Sequence, residues 1–206
     1  HGSDRFGFSV SDGQGGVAGH TASVTVAAIV DEIIGTALDD HLLDTSGDAR
    51  LYGLAGNDRL QGGSGDDRLD GGAGIDTAVF ARVATGYTLA RMGAEWRVTD
   101  TVGADGTDTL VDVERLGFAD GSVALDLAGA AGNTAKLIGA VFGKAYLLPA
   151  YVGIGIGLFD DGWSIAQVAG FALDTGLYEE LAGSRSNADF VRRVYTNVVG
   201  SAPGAA

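Results

Sequence analysis

Cysteine is absent from the 206 residues, and proline occurs only twice. Without cysteine there is no disulfide framework and no thiolate metal site, and the compartment stays undecided. Basic residues are scarce as well: 13 lysines and arginines stand against 27 aspartates and glutamates, a formal charge of −14. That balance argues against nucleic acid or an anionic membrane as partner, since both attract clustered Lys and Arg. It leaves a cation or another protein. The three histidines, His1, His20 and His41, are scattered and show no zinc-binding spacing. There is no GxSxG and no cysteine nucleophile, so no catalytic activity is expected of this chain itself. Gly153, Gly155 and Gly157 form a GxGxG, but without the strand, helix and downstream acid of a nucleotide fold. A membrane-spanning run is also missing. The longest uncharged apolar stretch, Ala145 to Phe159, falls short of the roughly 20 residues needed. The chain opens on His1 and shows no signal-peptide pattern, so the expectation is a processed or cut portion of a longer protein.

What the chain has in abundance is glycine, 35 residues, within a composition that is still 46% hydrophobic and able to bury a core. Four zones follow one another. Residues 1–32 place Phe6, Phe8 and Val10 on alternate positions, reach an Asp12-Gly13 turn, and continue in "TASVTVA". This reads as a hairpin. Residues 33–79 hold five nine-residue units: "GTALDDHLL", "DTSGDARLY", "GLAGNDRLQ", "GGSGDDRLD" and "GGAGIDTAV". Leucine keeps the eighth position through four units (Leu42, Leu51, Leu60, Leu69) and Ala78 holds it in the fifth. A flexible acidic linker would not keep that register. Residues 80–126 are strand-like, with alternation around Trp96 and Val98 and a turn at Ala119 to Gly121. Residues 133–206 change to helical spacing after a Gly-Ala linker. Ser164 with Gln167 makes a capping box, Ser186 with Asp189 a weaker one, and Phe190, Val191, Val194 and Val198 trace an apolar stripe ending at Gly200.

Nine residues divide into a six-residue turn and a three-residue strand. Glycine at the first, second and fourth positions permits positive φ and lets several carbonyls converge. Aspartate at the sixth adds a full charge beside them, and the strand's middle residue faces one side. Carboxylate and carbonyl together are a hard oxygen set that suits calcium, with six to eight ligands at about 2.3–2.6 Å, better than magnesium.

These units resemble GGxGxDxUx, the calcium-binding nonapeptide of RTX proteins. The resemblance implies a short right-handed parallel β-roll in which two nonapeptides make one turn and each Ca2+ sits between loops eighteen residues apart. It implies ligands from Asp40, Asp58 and Asp76 on one edge, where two ions fit and Asp58 serves both. The loop carbonyls of Gly35, Ala37, Gly53, Ala55, Gly56, Gly72 and Gly74 would complete that edge. The opposite edge would rest on Asp67 and Gly65 alone, because Ala49 replaces aspartate and Asp44 and Thr45 replace glycines in the second unit. Its site is therefore expected to be weak or empty. Arg50 and Arg68 should stack on one strand face and Arg59 on the other.

The flanking zones carry resemblances of their own. "VSDGQGG" with "TASVTV" resembles the end of a cadherin-like surface repeat, which implies terminal strands of a β-sandwich. "GTDTL", "VERL" and "FADGSVAL" resemble the segment that caps an RTX roll, with Asp105, Asp108 and Asp120 read first as solvated turn acids. "SIAQVAGFAL", "GLYEEL" and "SNADFVRRVYTNVVG" resemble a helical domain of unassigned function that follows RTX segments in secreted proteobacterial proteins, although "YVGIGIGLFDD" departs from it. The expected fold class is therefore mainly β with a C-terminal helical bundle. The RTX resemblance further implies export from a Gram-negative cell by type I secretion machinery, with the export signal inside or overlapping the helical region, and folding outside on calcium. It implies the C-terminal part of a secreted surface or matrix protein of adhesin or surface-layer type, with self-assembly through the helical region as one role. The alternative is the export and folding tail of a secreted protease or lipase whose catalytic domain lies upstream.

Overall fold

The structure, a computed structural model, describes residues 2–11, 14, 17–26 and 30–201. Two ten-residue strands come first, β1 (Gly2–Ser11) and β2 (Val17–Val26), paired antiparallel from Gly2↔Val26 to Ser11↔Val17 as a two-stranded sheet. The expected hairpin is therefore present, while its Asp12-Gly13 turn lies outside the described residues.

The next six strands are only three or four residues long: β3 (Asp31–Ile34), β4 (His41–Leu43), β5 (Ala49–Tyr52), β6 (Arg59–Gln61), β7 (Arg68–Asp70) and β8 (Thr77–Val79). Strands this short cannot hold themselves, so each is fixed by its neighbours. Alternate strands pair in parallel: β3, β5 and β7 in one sheet and β4, β6 and β8 in another. The register is eighteen residues, with Leu51↔Leu69 in one sheet and Leu42↔Leu60↔Ala78 in the other. The eighth-position residues Leu42, Leu51, Leu60, Leu69 and Ala78 are all buried in a single core shared by both sheets. The two residues flanking each of them are not buried in β4, β6, β7 and β8, as a period of two requires.

The strands β9 (Tyr87–Met92) and β10 (Glu95–Asp100) form a hairpin, and β11 (Thr107–Val111) brings it onto the first sheet, giving the order β3-β5-β7-β11-β10-β9. The second sheet gains β12 (Arg115–Phe118) and β13 (Gly121–Ala124), in the order β13-β12-β8-β6-β4. Both sheets are mixed: β11 adds in parallel to β7 and β12 to β8, and the outer additions are antiparallel. Phe80, Tyr87 and Phe118, with ring centroids 5.1–5.4 Å apart, fill the end of the core.

Five helices follow: α1 (Ala130–Val141), α2 (Pro149–Asp160), α3 (Ile165–Leu173), α4 (Gly176–Ala182) and α5 (Asn187–Val199). Both sides of the Ser164–Gln167 capping box are made, and Ser186 accepts from the Asp189 N–H. Gly200 ends α5 in the left-handed conformation, as read from sequence. Ile138, Val141, Phe142, Ala172 and Tyr178 form the bundle core. The apolar stripe of α5 is only partly covered: no residue of the helix is fully buried, Val191 and Val198 are 61% and 68% exposed, and the Phe190 ring lies 6.3 Å from that of Tyr178. Polar bonds add to this contact, from Arg193 to the Phe142 carbonyl at 2.6 Å and from Asn197 to the Ala140 carbonyl at 2.8 Å. Arg115 ties the sheets to the bundle, pairing with Asp126 at 2.7 Å and with Asp160 of α2 at 2.6 Å.

Candidate metal centre

The loops connecting the two sheets fall into two series. The loops after β3, β5 and β7 carry Asp40, Asp58 and Asp76 along one edge. The loops after β4 and β6 lead to Ala49 and Asp67 along the other. Stacking within each series is too close for side chains. A Cβ on Gly56 would sit 2.5 Å from the Leu38 carbonyl carbon, and one on Gly72 or Gly74 would overlap the carbonyl oxygen of Leu54 or Gly56. Those three glycines also hold φ between +91° and +153°, which L side chains rarely adopt. Here sequence and geometry meet: the glycines predicted to offer carbonyls are the ones whose backbone must pass directly over the preceding loop. Ala55 bridges to Ala73 in parallel, whereas Ala37 is exposed at the end of the stack.

The aspartates form ladders. One carboxylate oxygen of each accepts the backbone N–H of the residue eighteen positions earlier: Asp58 from Asp40 at 2.8 Å, Asp76 from Asp58 at 2.7 Å and Asp67 from Ala49 at 2.8 Å. The second oxygen, Oδ2, of Asp58, Asp67 and Asp76 is buried and has no hydrogen-bond partner. Asp40 differs, since its Oδ2 is taken by the Thr36 N–H and hydroxyl at 2.6 and 2.9 Å. Gly53 and Gly62, at the first position of their units, lie directly against the Oδ2 of Asp58 and Asp67, and Gly35 lies against that of Asp40. Gly71 abuts Asp76 in the same way.

A buried carboxylate oxygen without a donor costs of the order of a few kcal/mol unless something satisfies it. Two of them stacked on one edge and one on the other, with no ammonium or guanidinium bonded to them, are a demand for cations. Burial pushes the carboxyls of Asp67 and Asp76 up to about 6. Among the described residues no three acid or histidine side chains gather at one point. The oxygens that converge are instead one carboxylate per loop plus backbone carbonyls: the Oδ2 of Asp58 and the carbonyl of Gly71 both abut Gly53. This donor set fits calcium, a hard ion that takes carbonyl and carboxylate oxygens together. Asp58 and Asp76 with the carbonyls of their loops could hold it on the first edge, and Asp67 with those of its loop on the second.

Two further acids continue the ladders. Asp108 accepts from the Asp67 N–H at 3.0 Å, and Glu114 from the Asp76 N–H at 2.9 Å. Asp108 is only 4% exposed, and burial pushes its carboxyl up to about 8. It is therefore not the solvated turn acid expected from sequence. Asp120 is one: it is exposed and accepts the Ala84 N–H. Asp105 accepts the Tyr87 hydroxyl. Glu114 drew no attention in the sequence, because its loop has no glycine. Asp108 could have been found from the spacing Gly103, Gly106, Asp108, Leu110, which is out of phase with the nine-residue period.

No curated protein matches the chain. Among solved structures, the extracellular lipase LipA from Serratia marcescens is similar at 22% identity and a TM-score of 0.40, over 45% of this chain. The chain spans about 15% of that lipase's length, and the likeness carries no argument about activity. The family comparison bears directly on the stacked loops: residues 43–78 are an RTX calcium-binding nonapeptide repeat, present in four copies.

Proposed function

We propose that the two stacks are the faces of a calcium-stacked β-roll, and that the chain serves as the calcium-binding C-terminal part of a secreted surface or matrix protein of adhesin or surface-layer type. One observation carries this reading: buried aspartate oxygens left without a donor on both edges of an RTX nonapeptide repeat. Without the ion these carboxylates repel one another, and the glycine loops have entropy to lose and little to bury. With it, binding free energy becomes folding free energy. Such a roll stays unfolded where free calcium is scarce and folds once outside the cell, which suits export by type I machinery through a signal in the helical region. The absence, among the described residues, of any helix long and apolar enough to cross a membrane accords with this.

The test is far-UV circular dichroism of the whole chain in chelator and then in millimolar calcium, with magnesium as control. The expected outcome is a β-signal gained with calcium and not with magnesium. A spectrum indifferent to calcium would refute the roll.

A further inference from the structure

We propose that the second edge of the roll is a complete cation column, Asp44–Asp67–Asp108, whose last member belongs to a sixth nonapeptide, Gly103–Val111. Each neighbouring pair would hold one divalent cation of calcium's kind. The inference rests on the calcium-roll reading above and extends it to residues outside the matched repeat, 43–78.

"GADGTDTLV" has glycine at positions one and four, aspartate at six and leucine at eight. The structure stacks it on the fourth unit, "GGSGDDRLD", as that unit stacks on the second. Its strand, β11, pairs in parallel with β7, Leu110 beside Leu69. Asp108 takes the Asp67 N–H just as Asp67 takes the Ala49 N–H. At the fifth position, Asp66 accepts the Thr107 N–H at 2.7 Å, and Asp48 accepts the Asp66 N–H at 2.9 Å. Gly106, with φ +78°, lies over the Gly65 carbonyl, as Gly65 lies over that of Gly47. The β9–β10 hairpin is thus an insertion into the third loop of this edge, and the column resumes behind it.

The space for an ion is present. The buried, partnerless Oδ2 of Asp67, a residue 3% exposed, lies against Gly62. Gly62, Gly63 and Ser64 line one side of a cavity of about 180 Å³ that Asp105 and Asp108 also line. No lysine or arginine enters that lining, and Asp67 itself faces the neighbouring opening, which Arg50, Arg68 and Arg97 also line. Carboxylates beside backbone carbonyls are the oxygen environment calcium takes.

The other end of the column explains the two departures of the second unit. A Cβ at the first position of a regular unit runs into that unit's own aspartate: on Gly35 it would come within 2.8 Å of the Asp40 Oδ2, and on Gly71 within 2.6 Å of the Asp76 Oδ2. A side chain fits at position one only where position six is short. In the second unit Asp44 stands at position one and Ala49 at position six. On this proposal the carboxylate comes from the opposite side of the loop. Its Oδ2 is buried without a partner, like those of the regular aspartates.

Native mass spectrometry of the full chain at saturating calcium counts the ions, with circular dichroism checking the fold of each variant. Asp108→Asn keeps the acceptor for the Asp67 N–H, and Asp44→Gly restores the residue found at Gly35, Gly53, Gly62 and Gly71, so both should fold. Each is expected to lose one ion, and Asp67→Asn two. If either single variant keeps the wild-type count while Asp58→Asn loses ions, the column is wrong and the roll stands. If the wild type binds no calcium, both readings fall.

Discussion

Replacing Arg115 with methionine should loosen the helical bundle from the sheets. Arg115 is 8% exposed and sits between Asp126 and Asp160, whose side chains are 12% and 27% exposed. Its guanidinium makes two bonds to Asp160, at 2.6 and 3.2 Å, one to Asp126 at 2.7 Å, and one to the Glu114 carbonyl at 2.9 Å. Methionine fills the space of the aliphatic stem but strands two carboxylates facing each other. Removing one partner of a buried ion pair costs about 3–5 kcal/mol. Asp160 keeps some contact with water, so the low end, about 3 kcal/mol, is expected here. With a urea slope of roughly 1–3 kcal/mol/M, the unfolding midpoint falls by about 1–3 M. The two tryptophans separate the regions: Trp96 reports the sheets and Trp163 the helices. Urea titration of Trp96→Phe with and without Arg115→Met, at saturating calcium, reads the bundle alone. Adding Asp160→Asn should recover part of the loss. A change below 1 kcal/mol, the level of an exposed pair, would refute the claim that this arginine fastens the two regions.

Other outcomes can be stated briefly. Leu54 occupies a left-handed φ of +78° where Gly63 and Gly72 stand in the following units, so Leu54→Gly should raise stability by up to about 1 kcal/mol, read from urea titration at saturating calcium. Leu60 is fully buried between Leu42 and Ala78, and Leu60→Ala should cost about 2–5 kcal/mol in the same assay. Ser164→Ala removes the hydroxyl that accepts the Gln167 N–H, leaving only the backbone half of the capping box, and should lower stability by about 1 kcal/mol, read from helical ellipticity on heating. In calcium-free buffer the raised carboxyls of Asp67, Asp76 and Asp108 mean that the folded state binds more protons than the unfolded chain. Its stability should therefore rise as pH falls from about 8 toward the ordinary carboxylate range near 4, measured by circular dichroism. Stability that falls over that window would contradict the burial of these carboxylates.

The sequence by itself determined what is periodic. Leucine every ninth residue obliges a three-residue strand with one buried face, and glycine at fixed offsets obliges loops that stack without side chains. Asp40, Asp58 and Asp76 follow at eighteen-residue steps. Local chemistry was equally legible in the Ser164–Gln167 cap and the Gly200 stop, because these depend on neighbours three or four residues away. The tertiary structure decided what is not periodic. Asp108 reaches Asp67 across 41 residues because a hairpin is inserted between them; its local spacing is legible, but only strand pairing names its partner. Glu114 joins the first edge through strand pairing alone. The α5 stripe was legible as a face, but only packing shows what covers it: Phe190 meets Tyr178, while Val191 and Val198 lie open. The second loop edge changed most. It looked deficient while Ala49 was read as a loss. On the proposal above, Asp44 would supply the carboxylate that Ala49 lacks, because a carboxylate can reach one point in space from either side of a six-residue turn, and only the stacked loops bring that into view.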